Sequence, residues 1–187
     1  MTPAQPLAAE AVEFASASGL LSSAWLLIAL PLAGATVLLL LGRRADKWGH
    51  WLGCATVGAS FVLALAYFVT LRGLENRSVS LDLYNFVLVE RLKIDIGLLY
   101  DPLSAVFVLL ITGVGFLIHV YAIGYMSHDA GRRRFFGYFN LFVAAMLLLV
   151  LGNNYVMLYI GWEGVGLASY LLISFWYLRP TAATAGK

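Results

Sequence analysis

Four stretches of this chain run for twenty residues or more with almost no ionisable side chain, and that pattern fixes the solvent in which the chain can fold. Leu20 to Gly42, Leu52 to Leu71 and Pro102 to Ser127 contain no Asp, Glu, Lys or Arg, and Phe135 to Leu178 contains one, Glu163. A helix rises about 1.5 Å per residue, so about 20 apolar residues cross a hydrocarbon core about 30 Å thick. The last stretch is long enough for two crossings, and Gly152-Asn153-Asn154 supplies the turn residues that divide it. In lipid every backbone amide must be satisfied within the fold, which leaves helices or closed barrels, and runs that are continuous rather than alternating select helices. The sequence therefore predicts an all-α membrane protein with five transmembrane helices, at 20–42, 51–72, 102–125, 135–151 and 155–177.

Composition agrees with this reading. Of 187 residues 61% are hydrophobic and 12% charged, half the charge of an ordinary soluble domain at about 25%. A net charge of +2 is too small for a phosphate-binding face, so no nucleic-acid partner is expected. Cys54, the single cysteine, cannot form an internal disulfide and reads as a small buried hydrophobe. Residues 1–19 carry Glu10 and Glu13 but no Lys or Arg, unlike the basic start of a secretory signal, so they are read as a tail and the first span as retained. There is no glycine-rich phosphate loop, no metal-ligand spacing and no nucleophile–base pair. The chain is expected to hold no metal and no NADH, flavin, haem or iron–sulfur cluster.

Basic residues set an orientation. Arg43, Arg44, Lys47, Arg132, Arg133, Arg134, Arg179 and Lys187 fall on one side of the predicted spans, against Arg72, Arg77, Arg91 and Lys93 on the other. The positive-inside rule then puts the N-terminus outside and the C-terminus in the cytoplasm. The outer loop, roughly 73–101, alternates apolar and polar residues at Val79 to Leu83 and at Leu92 to Ile96, which predicts a small extracytoplasmic β-hairpin between helices 2 and 3, with Asn85 able to help the turn. Asp101-Pro102 opens the third span as a cap followed by a first-turn proline. Arg132-Arg133-Arg134 reads first as a topology signal and second as a lipid-headgroup contact.

Polar groups inside the spans carry the functional argument. Glu163 is the one acidic residue in a span interior, eight residues or about 12 Å past Tyr155, which puts it near the bilayer midplane. Ionisable residues at that depth are costly and mark ion or proton pathways. Gly161, Gly164, Gly166, Ala168 and Ser169 around it let another helix approach. Glu163 is thus the candidate proton relay, against the alternative of a neutralised carboxyl that only packs. His119 is a second relay candidate, its other reading being a neutral, hydrogen-bonded packing histidine. Asn140 reads as an interhelical hydrogen-bonding residue, and Tyr159 and Tyr170 share the face of Glu163.

These residues resemble a family. Tyr100-Asp101-Pro102-Leu103-Ser104, His119-Val120-Tyr121-Ala122-Ile123-Gly124-Tyr125-Met126, Arg134-Phe135-Phe136-Gly137-Tyr138-Phe139-Asn140-Leu141-Phe142 and Gly161-Trp162-Glu163-Gly164-Val165-Gly166-Leu167-Ala168-Ser169-Tyr170 are similar to the N-terminal part of chain 5, or subunit L, the antiporter-like membrane subunit of respiratory complex I. The likeness covers about residues 20–187. It implies that 20–151 form helices 1–4 of that region and that 152–187 begin the proton-conducting module, cut off before its sixth helix. It implies that Glu163 lies on the fifth helix, pairs with a Lys on the seventh and joins a hydrated chain of Lys and His. It implies a multi-pass bacterial cytoplasmic-membrane location and, as partners, the lipid bilayer and other membrane subunits of complex I. NADH, FMN, iron–sulfur clusters and quinone would belong to other subunits, and this length alone would not pump. The alternatives are the related large component of a multi-subunit cation/proton antiporter, a component of a membrane hydrogenase, or a non-transporting membrane scaffold fragment.

Overall fold

All five predicted spans are helical in the computed structural model, which describes residues 15–74, 77–89 and 92–186. Glu10 and Glu13 of the tail, Arg91 of the outer loop and Lys187 lie outside the described residues. The helices are α1 (Leu26–Leu40), α2 (Gly49–Arg72), α3 (Pro102–Tyr125), α4 (Arg132–Leu151) and α5 (Tyr155–Ile173), followed by a short α6 (Pro180–Ala185). With the 3-10 turn Gly19–Ser23 that leads into α1, each of the first five is long and apolar enough to cross a membrane. The chain is a multi-pass membrane protein.

The boundaries differ from the sequence reading where side chains intervene. The first span starts as a 3-10 turn, in which the Ser22 and Ser23 hydroxyls donate back to the carbonyls of Gly19 and Leu20, each at 2.7 Å. It ends two residues early because Gly42 takes a left-handed φ of 55° and turns the chain out. The fourth helix starts at Arg132 rather than 135. Arg132 donates to the carbonyl of Ile123 at the end of α3 (3.0 Å), and Arg133 donates to Asp46 (3.0 Å) and to the carbonyl of Leu38 in α1 (2.5 Å). Two residues of the arginine run are therefore built into the protein. The fifth helix stops at Ile173 rather than 177, where Trp176 donates its indole N–H to Asp129 (2.9 Å). The third span starts as the sequence indicates: Asp101 accepts from the amide of Ser104 (2.7 Å) while the Ser104 hydroxyl accepts from the amide of Asp101 (2.8 Å).

The connection between α2 and α3 is more strand than the alternation suggests. β2 (Val79–Val89) and β3 (Leu92–Tyr100) pair antiparallel, and β1 (Ala15–Ser16), inside the predicted tail, adds parallel to β2. Asn85 is not in a turn; it lies within β2 opposite Asp95. Register shifts between Asp82 and Tyr84 and between Asn85 and Val87 break the period of two there, which is why the strand looks shorter in the sequence than it is. Val79, Leu98 and Tyr100 join Leu27, Val57, Tyr67, Val108 and Leu147 in one buried core, so the sheet plugs one end of the bundle. A second buried cluster, Leu38, Ala45, Cys54, Ala122 and Phe136, fills the other end.

Candidate functional site

α5 carries the midspan carboxyl, and three sets of contacts hold this helix in place. At its start Asn154 accepts from the amides of Val156 and Met157, both at 3.0 Å, and donates to the carbonyl of Asp95 in β3 at 2.6 Å. One side chain thus caps α5 and ties it to the hairpin. The amide of Asn153 adds a bond to the carbonyl of Gly97 (3.2 Å). Along its length α5 lies almost backbone to backbone on α4. A Cβ on Gly161 would stand 2.5 Å from the amide nitrogen of Leu149, and one on Gly164 would stand 2.9 Å from the Cβ of Ala145. At its end Phe175 is buried beneath Arg134. Van der Waals fit of this kind is what holds helices together in lipid, where burial of apolar surface gives little between helices.

That packing decides where Glu163 points. Met157, Gly161 and Ala168 form the buried face of α5. Glu163, ninth of the 19 residues, is exposed on the other face, with Tyr159, Trp162 and Tyr170, which are 63%, 66% and 51% exposed. Tyr159, one turn earlier, interacts with the carboxylate through its hydroxyl. The small residues near Glu163 divide into two groups: Gly161, Gly164 and Ala168 serve contact with α4, whereas Gly166 has open space where a side chain would be. A carboxyl and a tyrosine hydroxyl at midspan, beside a glycine that leaves room, can accept a close neighbour bearing a proton or a positive charge.

His119 sits elsewhere, in the core shared by α1 to α4, and is 0% exposed. Asn140 organises that core. Its carbonyl oxygen accepts from the Thr56 hydroxyl (2.7 Å), and its amide nitrogen donates to the carbonyl of Phe136 (2.9 Å) and to Nε2 of His119 (3.1 Å). The amide nitrogen can only donate, so Nε2 accepts and the proton sits on Nδ1, which donates to the carbonyl of Gly115 (2.7 Å). The imidazole is thereby held neutral, stacked on Phe139 at 4.3 Å between centroids with a 5° tilt. Gly34 of α1 closes the cluster, since a Cβ there would lie 2.6 Å from the Thr56 hydroxyl. Asn140 makes the interhelical bonds its sequence position suggests. Thr56 and Gly34 escape sequence reasoning, and only their small or polar character inside a span could mark them. Among the described residues no hydrogen bond or ring contact joins His119 to Glu163.

The family described as NADH-ubiquinone oxidoreductase (complex I), chain 5 N-terminus matches residues 86–136. NADH-quinone oxidoreductase subunit L of Mycobacterium tuberculosis (strain ATCC 25618 / H37Rv) is 58% identical over 166 residues, which are 87% of this chain and 26% of that protein. Over most of its length the chain is similar to part of that subunit. NADH-ubiquinone oxidoreductase chain 5 of Rhizopus stolonifer is 41% identical over 160 residues, 85% of this chain and 24% of the relative. The chloroplastic NAD(P)H-quinone oxidoreductase subunit 5 of Zygnema circumcarinatum is 42% identical over 167 residues, 86% and 24% respectively. The chain thus spans about a quarter of the length of the chain 5 relatives it matches. The family match includes His119 and ends before Asn140 and Glu163.

Proposed function

We propose that this chain is the N-terminal portion of a proton-translocating membrane subunit of an NADH–quinone oxidoreductase, and that Glu163 is its proton-relay carboxyl. The observation that carries the reading is the orientation of α5. One face is fitted to α4 by glycines, and the other presents the lone midspan acid of the described residues, with Tyr159 and open space at Gly166. A carboxylate turned to bare lipid would cost several kcal/mol. The surrounding protein must therefore cover that face with a basic or hydrated partner, and a lysine on a further helix meets the need. With that cation close the carboxylate is favoured; with it withdrawn, protonation is favoured. Alternation between the two states moves a proton. Moving a charge against 100 mV costs about 2.3 kcal/mol, so the energy comes from quinone reduction in other subunits, which hold the NADH, flavin and iron–sulfur chemistry.

In this reading the membrane is the bacterial cytoplasmic membrane, the arginine-rich end of the bundle faces the cytoplasm, and the partners are the other membrane subunits. The names borne by the relatives favour this over a cation/proton antiporter component, a hydrogenase component or a scaffold. The test is Glu163→Gln in the full-length protein, assembled in its complex and reconstituted in vesicles. Proton uptake per NADH oxidised is expected to fall markedly while NADH oxidation by the peripheral arm continues. Unchanged proton stoichiometry would remove Glu163 from the relay.

A further inference from the structure

The arginine-rich end of the bundle holds two guanidinium groups in an arrangement unlike that of their neighbours. Arg132 and Arg133 direct donors into the protein, to the carbonyls of Ile123 and Leu38 and to Asp46. Arg134 and Arg179 donate to no described group. Arg134 lies instead over the rings of Phe175 and Tyr177, at 5.6 and 5.4 Å from their centroids, and Arg179 lies over Trp176 at 4.9 Å. Stacking uses the face of a guanidinium and leaves its in-plane N–H groups free for a bidentate acceptor. Between the two arginines is a cleft of about 210 Å³, completed by Phe175, Trp176, Tyr177 and Leu178.

We propose that this cleft binds the phosphate of an anionic phospholipid. Arg134 is in the first turn of α4 and Arg179 lies just past the end of α5, so both stand at the depth where a span leaves the hydrocarbon and meets headgroups. The carboxylate beside the cleft is held by other donors. Asp129 accepts from the amide of Gly131 (2.6 Å) and from the indole of Trp176 (2.9 Å), and among the described residues it forms no ion pair with either arginine. Its role is to fix Trp176 as the platform under Arg179. Of the cleft's apolar side chains, Leu178 is 85% and Tyr177 57% exposed at the rim, where the glycerol and first methylenes of a lipid would lie. A free phosphate ion would leave that rim in water, and the lipid would cover it. The assignment is independent of any role for Glu163.

A photoactivatable phosphatidylglycerol probe, added to vesicles containing the protein in its native membrane assembly, tests it. Peptide mapping should place label at 134 and 175–179, competed by unlabelled phosphatidylglycerol and not by phosphatidylcholine or inorganic phosphate. Labelling there should fall about tenfold or more in R134Q/R179Q, since each basic residue at an anionic surface contributes substantially. The double variant R134K/R179K, which keeps charge but loses the fork and weakens the stack, should fall between. R43Q/R44Q, which removes the same charge at the same end outside the cleft, should label normally. Equal labelling by a phosphatidylcholine probe, full competition by inorganic phosphate, equal loss in R43Q/R44Q, or undiminished labelling in R134Q/R179Q would each overturn the site.

Discussion

Two midspan polar groups in this protein have opposite surroundings. In the core of α1 to α4, His119, Asn140 and Thr56 satisfy one another and nearby carbonyls, and Gly34 seals them in. On α5, Glu163 has Tyr159 beside it and otherwise faces away from the rest of the chain. Both sites place polar atoms where lipid or protein excludes water, so both must be compensated, but only the first is compensated from within these residues. A closed network of neutral donors and acceptors gives rigidity and has no vacancy for an arriving proton. An acid with an open side can change partners. Polarity inside a membrane span thus comes in two kinds here, one satisfied by the surrounding helices and one turned away from them.

The contrast breaks most readily at Asn140. Asn140→Leu removes the donor that serves His119 and the acceptor that serves Thr56. Thr56 can fall back on the carbonyls of Leu52 and Gly53, each at 3.1 Å. The Phe136 carbonyl keeps the helical amide four residues on. His119 Nε2 has no such recourse, at about 1–3 kcal/mol for an orphaned buried group, and a branched apolar side chain enters a niche shaped for an amide. The expected outcome is a clear drop in thermal stability and in yield of assembled protein, in contrast to Glu163→Gln, which should assemble normally and lose proton flux. An Asn140→Leu protein of normal stability that lost only proton flux would show that the sealed cluster conducts.

A smaller effect comes from comparing two glycines on α5. Gly161→Ala sets a methyl against the backbone of Leu149, where neither side is a flexible side chain, and overpacking of this kind costs about 1–3 kcal/mol. Gly166→Ala meets nothing in these residues and, since alanine favours a helix over glycine, should melt at or slightly above the parent when the isolated chain is heated in detergent. In the complete complex the order of functional loss can reverse, because Gly166 borders Glu163 on the face left for a neighbour. If Gly166→Ala leaves proton uptake unchanged, close approach at that face is not required.

Much of this was legible in the sequence because a bilayer allows few solutions. Uninterrupted apolar runs select helices, Gly152-Asn153-Asn154 marks the break, and Asp101-Pro102 marks a start, so α3 begins and ends where the pattern says. Glu163 stood out because it was alone. What stayed hidden depends on contacts between segments remote in sequence. The pairing of Ala15–Ser16 with β2 involves too few residues to show a period. The bulges near Asp82 and Asn85 interrupt the alternation that would reveal the strand. Nothing in three consecutive arginines says that one will bind α3, one α1 and its following loop, and one two aromatic rings. The tautomer of His119 is set by Asn140, 21 positions away on another helix, which the sequence around His119 does not reveal.

The smallest effect belongs to a buried polar group that is neither sealed by partners nor open, and it lies outside the spans. Tyr100, the last residue of β3, is 3% exposed and edge-on to Tyr67 at 6.3 Å, and its hydroxyl has no hydrogen-bond partner among the described residues. Burial, with the Tyr67 hydroxyl adding to it, pushes the Tyr100 pKa above the ordinary tyrosine value of about 10. Because the folded value is raised, the unfolded chain releases this proton first as pH increases. The stability contributed by keeping Tyr100 neutral is therefore complete below about pH 10 and is lost as pH climbs through the raised folded value. Tyr100→Phe deletes both the orphaned hydroxyl and its titration. At neutral pH the variant should melt close to the parent or slightly higher, since no bond is lost. Above about pH 10 the two curves should separate, with the parent falling faster. Parallel curves across the alkaline range would mean that the Tyr100 hydroxyl reaches water or a partner when the protein is in its membrane, and that the sheet plugs the bundle less tightly than its packing implies.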